Sequence, residues 1–263
     1  MGKTKKMLTK QRREHIIEML QQEKEVNVAQ LANHFDVSQV TIRNDLNVMD
    51  KANLLHRIHS GAISINDSNK DYFEATLNER MATNKQEKLA IAKACAMLIQ
   101  DGDTVMMNSG TTNVFVAREL ALRNSLTIVT NAILVAQEFS YSRTNKVILL
   151  GGDIEHLHQF TYGKDASMQL QQYRADKLIL ATDGLSNKGG ITTLHHQEAD
   201  LSMQMINRTN QLIVVADHTK IGKEGFSFVA PISYMHLLVT DAQPTINNQL
   251  AEMKKGNVEI IEV

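Results

Sequence analysis

Seven short apolar runs recur between residues 104 and 261, each separated from the next by enough chain for a helix. They are Thr104–Met107, Leu126–Thr130, Val147–Leu150, Leu178–Ala181, Leu212–Ala216, Leu237–Thr240 and Val258–Ile261. An unbroken apolar run of this length suits a strand buried on both faces, and strands joined by helix-length connections build βαβ units. The pattern predicts an α/β domain with a mainly parallel sheet. Helices are expected over 85–100 and 113–122. No internal repeat and no low-complexity tract interrupts the series.

The first 65 residues follow a different rule. Thr9 opens a helical pattern with Ile16, Met19 and Leu20 on one face. A second helix starts near Asn27 and places Val28, Leu31, Ala32 and Phe35 at helical spacing. Asp36-Val37 breaks it, and Ser38 is a good N-cap for a third helix whose inward stripe is Ile42, Leu46 and Met49. Val40, Asn44, Asn47 and Lys51 project the other way, with Arg43 on the flank. Two helices about a tight turn, the second with an exposed amide- and arginine-bearing face, form a helix-turn-helix. That face suits the major groove: Arg43 can pair with guanine, Asn44 or Asn47 with adenine, and Val40 can meet a thymine methyl. Gln39 and Thr41 near the helix start, with Ser38, reach bases or phosphates. Arg12 and Arg13 are placed to meet the backbone. Residues 54–63 read as two short strands around a turn, a wing that carries Arg57 and His59 toward phosphate or the minor groove.

Charge follows the same division. The first 62 residues hold ten Lys and Arg against seven Asp and Glu, net +3, while the rest hold 18 against 22, net −4. A basic head on an acidic body is the footprint of a nucleic-acid reader carried by another module. The 263 residues are 43% apolar, enough for a proper buried core, and only 2 are proline. No apolar run reaches the roughly 18 residues that span a bilayer, and Met1–Arg13 has no apolar segment of a secretory signal behind it. One cysteine, Cys95, forms no internal disulfide, which fits a reducing cytoplasm. It recurs with Ile91, Ala94 and Leu98 as a core residue. The expected division is a head over 1–65, a linker over 66–84 with a short helix from Phe73 to Met81, and a body over 85–263.

Within the body, Asn108-Ser109-Gly110-Thr111-Thr112 directly follows a strand and opens a helix. Free backbone N–H groups and the helix dipole make such a turn a seat for an anion, with phosphate the obvious guest. It lacks the lysine of a P-loop and the three glycines of a dinucleotide site. Other loops follow strand ends, where open α/β sheets bind ligands. They contribute Asn131, Gly152, Asp183, Lys188 and Lys220, with Glu198 nearby, as carboxylates and ammoniums for sugar hydroxyls and phosphate. His156, His158, His195 and His196 match no zinc spacing, so no metal is expected.

The run Val37-Ser38-Gln39-Val40-Thr41-Ile42-Arg43-Asn44-Asp45-Leu46, with His56-Arg57 and Gly61-Ala62 after it, closely resembles the signature of DeoR-type winged-helix repressors. The family usually has a second Arg at Asn44, a Gly at Ser60 and an Asp at Asn108. The body from about residue 75 resembles the effector domain of that family, which is related to ribose-phosphate and glucosamine-phosphate isomerases. The resemblance implies that Ser109-Gly110-Thr111-Thr112 holds an effector phosphate. It also implies that Asp183-Gly184, Lys188-Gly189-Gly190, Glu198 and Asp217–Lys220 face the sugar. Thr41–Leu46 and Tyr162-Gly163 with Tyr173 are most similar to N-acetylgalactosamine-pathway repressors, which makes an amino-sugar phosphate the first candidate. The expected protein is therefore a cytoplasmic, oligomeric (dimer or tetramer) repressor of a carbohydrate-utilisation operon. Its partners are operator DNA and a phosphorylated sugar, with no membrane, no cofactor and no catalytic residue. The alternative is a sugar-phosphate isomerase or amino-sugar deaminase with an accessory head, using Asp183 and Glu198 as acid and base.

Overall fold

The computed structural model describes residues 9–23, 25–51, 54–58, 61–64, 79–156 and 158–263. The chain divides into two units, Met1–Thr76 and Leu77–Val263, each with its own core.

In the first unit, α1 (Thr9–Glu23), α2 (Val28–His34) and α3 (Gln39–Lys51) surround Ile16, Leu20, Leu31, Ile42, Leu46 and Met49, all essentially inaccessible. Asn27 caps α2, its Oδ1 accepting the Ala29 N–H at 2.8 Å. Ser38 does the same for α3, its Oγ accepting the Thr41 N–H at 3.1 Å. Each side-chain oxygen satisfies a donor that the helix itself leaves unpaired. The wing consists of β2 (Leu55–Ile58) and β3 (Gly61–Ser64), paired antiparallel. A third strand, β1 (Glu25–Asn27), adds to β3 with Val26 opposite Ala62. Nothing in the sequence pattern announced it, because three residues are too few to show alternation. It explains Gly61, where an added Cβ would lie 1.7 Å from the Val26 carbonyl oxygen.

The second unit carries α4 (Lys85–Met97), β4 (Thr104–Met107), α5 (Thr111–Leu120), β5 (Thr127–Thr130), α6 (Ile133–Glu138) and β6 (Lys146–Leu149). There follow β7 (Asp153–Glu155), β8 (Phe160–Tyr162), α7 (Gly163–Leu170), β9 (Ala175–Ala181), β10 (Gly184–Ser186), β11 (Gly190–Thr193) and α8 (His196–Ile206). The chain closes with β12 (Thr209–Val215), β13 (Ser227–Ala230), β14 (Leu237–Thr240), α9 (Asn247–Lys255) and β15 (Glu259–Glu262). Seven strands make one parallel sheet in the order β15-β14-β12-β9-β4-β5-β6. Alternation decides which core each residue joins. Val105, Met107, Ile179, Ile213 and Val239 pack on one face with α4 and α5, while Met106, Leu178, Leu180, Val214 and Leu238 pack on the other with α7 and α8. Cys95 is wholly buried on the first face, and burial pushes its thiol up to about 12, so it is inert.

The hairpin β7–β8 and the antiparallel trio β10-β11-β13 were not expected. Their strands are three or four residues long and carry polar residues such as Asp153 and Ser186, so no apolar run marks them. The sheet order itself places the site. From β4 the chain continues to β5 and β6 on one side, and it returns at β9 to build the other. The carboxyl ends of β4 and β9 therefore lead in opposite directions, and a crevice opens between them.

Candidate functional site

On α3, Gln39, Val40, Arg43, Asn44 and Asn47 are all exposed, Val40 to 62%. Ile42, Leu46 and Met49 line the buried side, so the polar stripe faces outward. Thr41 is half-buried, with its hydroxyl 2.9 Å from Ser38 Oγ. Arg57 lies on β2, and His59 falls outside the described residues. Arg12 departs from expectation. It is buried, and its Nε donates to Asp45 Oδ2 at 2.6 Å, while Arg13 Nε donates to Asp45 Oδ1 at 2.9 Å. One carboxylate thus clamps α1 to α3, and Arg12 is committed to that clamp instead of a phosphate. Arg13, about a third exposed, shares the carboxylate. The signal for this was Asp45 itself, an acidic residue on the inward face beside Leu46.

In the second unit a cavity of about 100 Å3 opens at the divergence of β4 and β9. Thr111 and Thr112 form one wall at the start of α5. No side chain caps this helix, so its first N–H groups remain available. Thr182 and Asp183 follow from the end of β9, and Asp217, Thr219 and Lys220 from the end of β12. Arg80, Thr83, Asn84 and Lys88 complete the wall. Lys88 donates to the carbonyls of Arg80 at 2.6 Å and Thr83 at 2.8 Å, fastening 79–84 against the cavity. Burial pulls its ammonium below the ordinary value, with Asp217 opposing. Asp217 Oδ1 accepts from Asn84 Nδ2 at 3.2 Å and from the Thr219 N–H at 3.0 Å.

Behind the cavity stands a second layer. Asn108 is buried, and its amide bonds both backbone groups of Ala181, so it joins β4 to β9 and does not face a ligand. Gly110 has φ +132°, and an added Cβ would lie 2.7 Å from Ala181 Cβ; only glycine fits. Ser109 Oγ donates to Glu198 Oε1. Thr193 Oγ1 lies 2.7 Å from Glu198 Oε2 and 3.0 Å from Asp183 Oδ2. Arg80 approaches Asp183 Oδ1 at 3.7 Å. Burial pushes the Glu198 carboxyl above its ordinary value, against the Ser109 hydrogen bond, and Asp183 adds to the rise. His195, whose ring meets that of His158 edge-on at 4.2 Å between centroids, is pulled down by burial and then by His158.

Thr111, Thr112, Asp183 and Lys220 therefore line the cavity, while Asn108, Ser109, Gly110 and Glu198 shape it from behind. Three expected residues lie elsewhere. Asn131 Nδ2 donates to the Thr161 carbonyl at 3.0 Å and pins β8 to the end of β5. Gly152, at φ +146°, lets its backbone approach the Tyr162 carbonyl, where a Cβ would sit 2.3 Å away. Lys188 is exposed at the far turn of the β10–β11 hairpin, away from Asp183 at its base. Arg80, Thr83 and Asn84 carry no sequence signal of their own, because 66–84 has the pattern of a linker. Lys88 was missed although it shares the inward face of α4 with Ile91, Ala92 and Cys95.

Residues 12–68 match the DeoR-like helix-turn-helix domain, and residues 83–242 match the DeoR C terminal sensor domain. Among similar curated proteins, the transcriptional repressor AccR of Agrobacterium fabrum is 34% identical, over 89% of this chain and 90% of its own. A putative aga operon transcriptional repressor of Escherichia coli O157:H7 is 31% identical, over 97% of this chain and 94% of its own. Among solved structures, ribose 5-phosphate isomerase A of Methanocaldococcus jannaschii aligns at TM-score 0.40 and 15% identity, over 53% of this chain and 55% of that one.

Proposed function

The chain belongs to the DeoR family of transcriptional regulators, and on that premise we propose that it represses a carbohydrate-utilisation operon and is switched by a phosphorylated sugar held at the divergence of β4 and β9. The isomerase or deaminase alternative drops out, because relatives matching nine-tenths of the chain are named repressors.

The observation that carries the effector reading is the uncapped start of α5 facing Lys220 across a small polar cavity. Unpaired N–H groups, the positive end of the helix dipole and an ammonium together favour a phosphate dianion. Lys88 is spent on backbone carbonyls, so it orders the wall while adding positive charge. Asp183, Thr182 and Thr219 offer acceptors and donors to sugar hydroxyls, and Asp183 also suits the ammonium of an amino sugar. The resemblance of Thr41–Leu46 and of Tyr162-Gly163 with Tyr173 to N-acetylgalactosamine-pathway repressors favours the amino sugar.

At the DNA, Arg43, Asn44 and Asn47 read base edges while Ser38, Gln39, Thr41 and the wing hold the backbone. A homo-oligomer sets two such heads on half-sites about one helical turn, roughly 34 Å, apart. The effector acts by preferring one arrangement of the oligomer, which shifts the population that binds DNA. Fluorescence anisotropy of the full-length protein on its own promoter DNA tests this. One phosphorylated sugar should change the affinity severalfold while its unphosphorylated parent leaves it unchanged; equal curves with every sugar phosphate would refute the switch.

A further inference from the structure

Thr193 Oγ1 lies within hydrogen-bond reach of two carboxyl groups, Asp183 Oδ2 at 3.0 Å and Glu198 Oε2 at 2.7 Å. A hydroxyl has one proton to give. It donates to one of the two oxygens and must accept from the other, so one carboxyl carries a proton. The surroundings decide which. Asp183 also accepts the Leu194 N–H at 3.1 Å and faces the Arg80 guanidinium at 3.7 Å, and both favour its ionised form. Glu198 is 7% exposed, and among the described residues no Lys or Arg pairs with it. The groups that face it are Ser109 from the β4–α5 loop, Thr193 from β11, Asp183 from the end of β9 and His158 from the β7–β8 connection.

We propose that Glu198 is held as a neutral carboxylic acid, its Oε2–H donating to Thr193 Oγ1 while the Thr193 proton goes to Asp183 Oδ2 and the Ser109 hydroxyl donates to Oε1. Each hydroxyl and carboxyl of the Ser109–Glu198–Thr193–Asp183 relay then has a matched partner, with no donor facing a donor. Burial acts in the same direction, pushing this carboxyl above its ordinary value. Glu198 is thereby a positioning residue, acting through Ser109 on the loop before α5 and through Thr193 on Asp183. One consequence rests on the phosphate reading given above: a neutral acid behind the loop adds no negative charge to those of Asp183 and Asp217 already in the cavity wall.

Infrared spectroscopy of the full-length protein at neutral pH tests the proton directly and needs no effector. The expected result is a carbonyl stretch of a protonated carboxyl that disappears in Glu198→Gln and survives in Asp183→Asn. The glutamine amide can still donate to Thr193 and accept from Ser109, so this variant keeps the fold. If it fails to fold, Thr193→Val gives a second readout, because losing the bridging hydroxyl must shift the band. Absence of the band in the parent protein, its persistence in Glu198→Gln, or an unshifted band in Thr193→Val overturns the assignment. None of these outcomes depends on what the cavity binds.

Discussion

Asn108 Oδ1 accepts the Ala181 N–H at 2.8 Å while Asn108 Nδ2 donates to the Ala181 carbonyl at 3.0 Å, so one side-chain amide closes a peptide-like pair between the ends of β4 and β9. An amide has both a donor and an acceptor; a carboxylate has only acceptors. Asn108→Asp should therefore set oxygen against the Ala181 carbonyl and destabilise the body by about 1–3 kcal/mol. Thermal melts of the two proteins check this, and an unchanged melting point would show the clamp to be dispensable.

The head has its own clamp in Asp45. With Arg12 buried against it, Asp45→Ala leaves an uncompensated cation and should cost about 3–5 kcal/mol of head stability. The expected readout is loss of the head's unfolding transition at a temperature where the body's transition is unchanged. A head that melts as before would mean Arg12 finds another partner.

Arg43 is exposed and unattached to the core, so Arg43→Ala should leave both transitions alone. It should weaken discrimination at one operator base pair by about 1–3 kcal/mol. Competition between operator variants measures this. A uniform loss across all sequences would instead make Arg43 a phosphate contact.

Glu198 also predicts a pH dependence. Its folded value lies above the ordinary 4.5, so the native state holds the proton where the unfolded chain has released it. The associated stability is fully present below about 4.5 and is lost as pH rises through the folded value. Glu198→Gln cannot titrate, so its melting temperature should fall less steeply than that of the parent over the range upward from 4.5. Parallel curves would contradict the raised value.

The parallel sheet was legible because β4, β9, β12 and β14 each contain a short apolar run, and the turn at Ser109–Thr112 because it sits between a strand and a helix. The rest hid for identifiable reasons. Asp45 and Lys88 are charged residues at core-facing helical positions, and a periodicity count treats such residues as interruptions when they are clamps. Arg80 lies in a stretch with the pattern of a linker, which hides it. Lys188 was grouped with Asp183 because both lie in loops after β9; the β10–β11 hairpin, too short to show in the pattern, carries it away. Asn108 reads as a ligand group until Ala181, 73 residues later, appears beside it.

The central claim is that the start of α5 seats a phosphate. Isothermal titration of the full-length protein, and of Lys220→Ala, with a panel of phosphorylated sugars and their parents tests it most directly. The account predicts that one phosphorylated sugar binds, that its parent does not, and that Lys220→Ala binds the phosphorylated form at least tenfold more weakly, a loss of about 1.4 kcal/mol. Equal binding of a sugar and its phosphate, or a Lys220→Ala protein that binds as tightly as the parent protein, would contradict it.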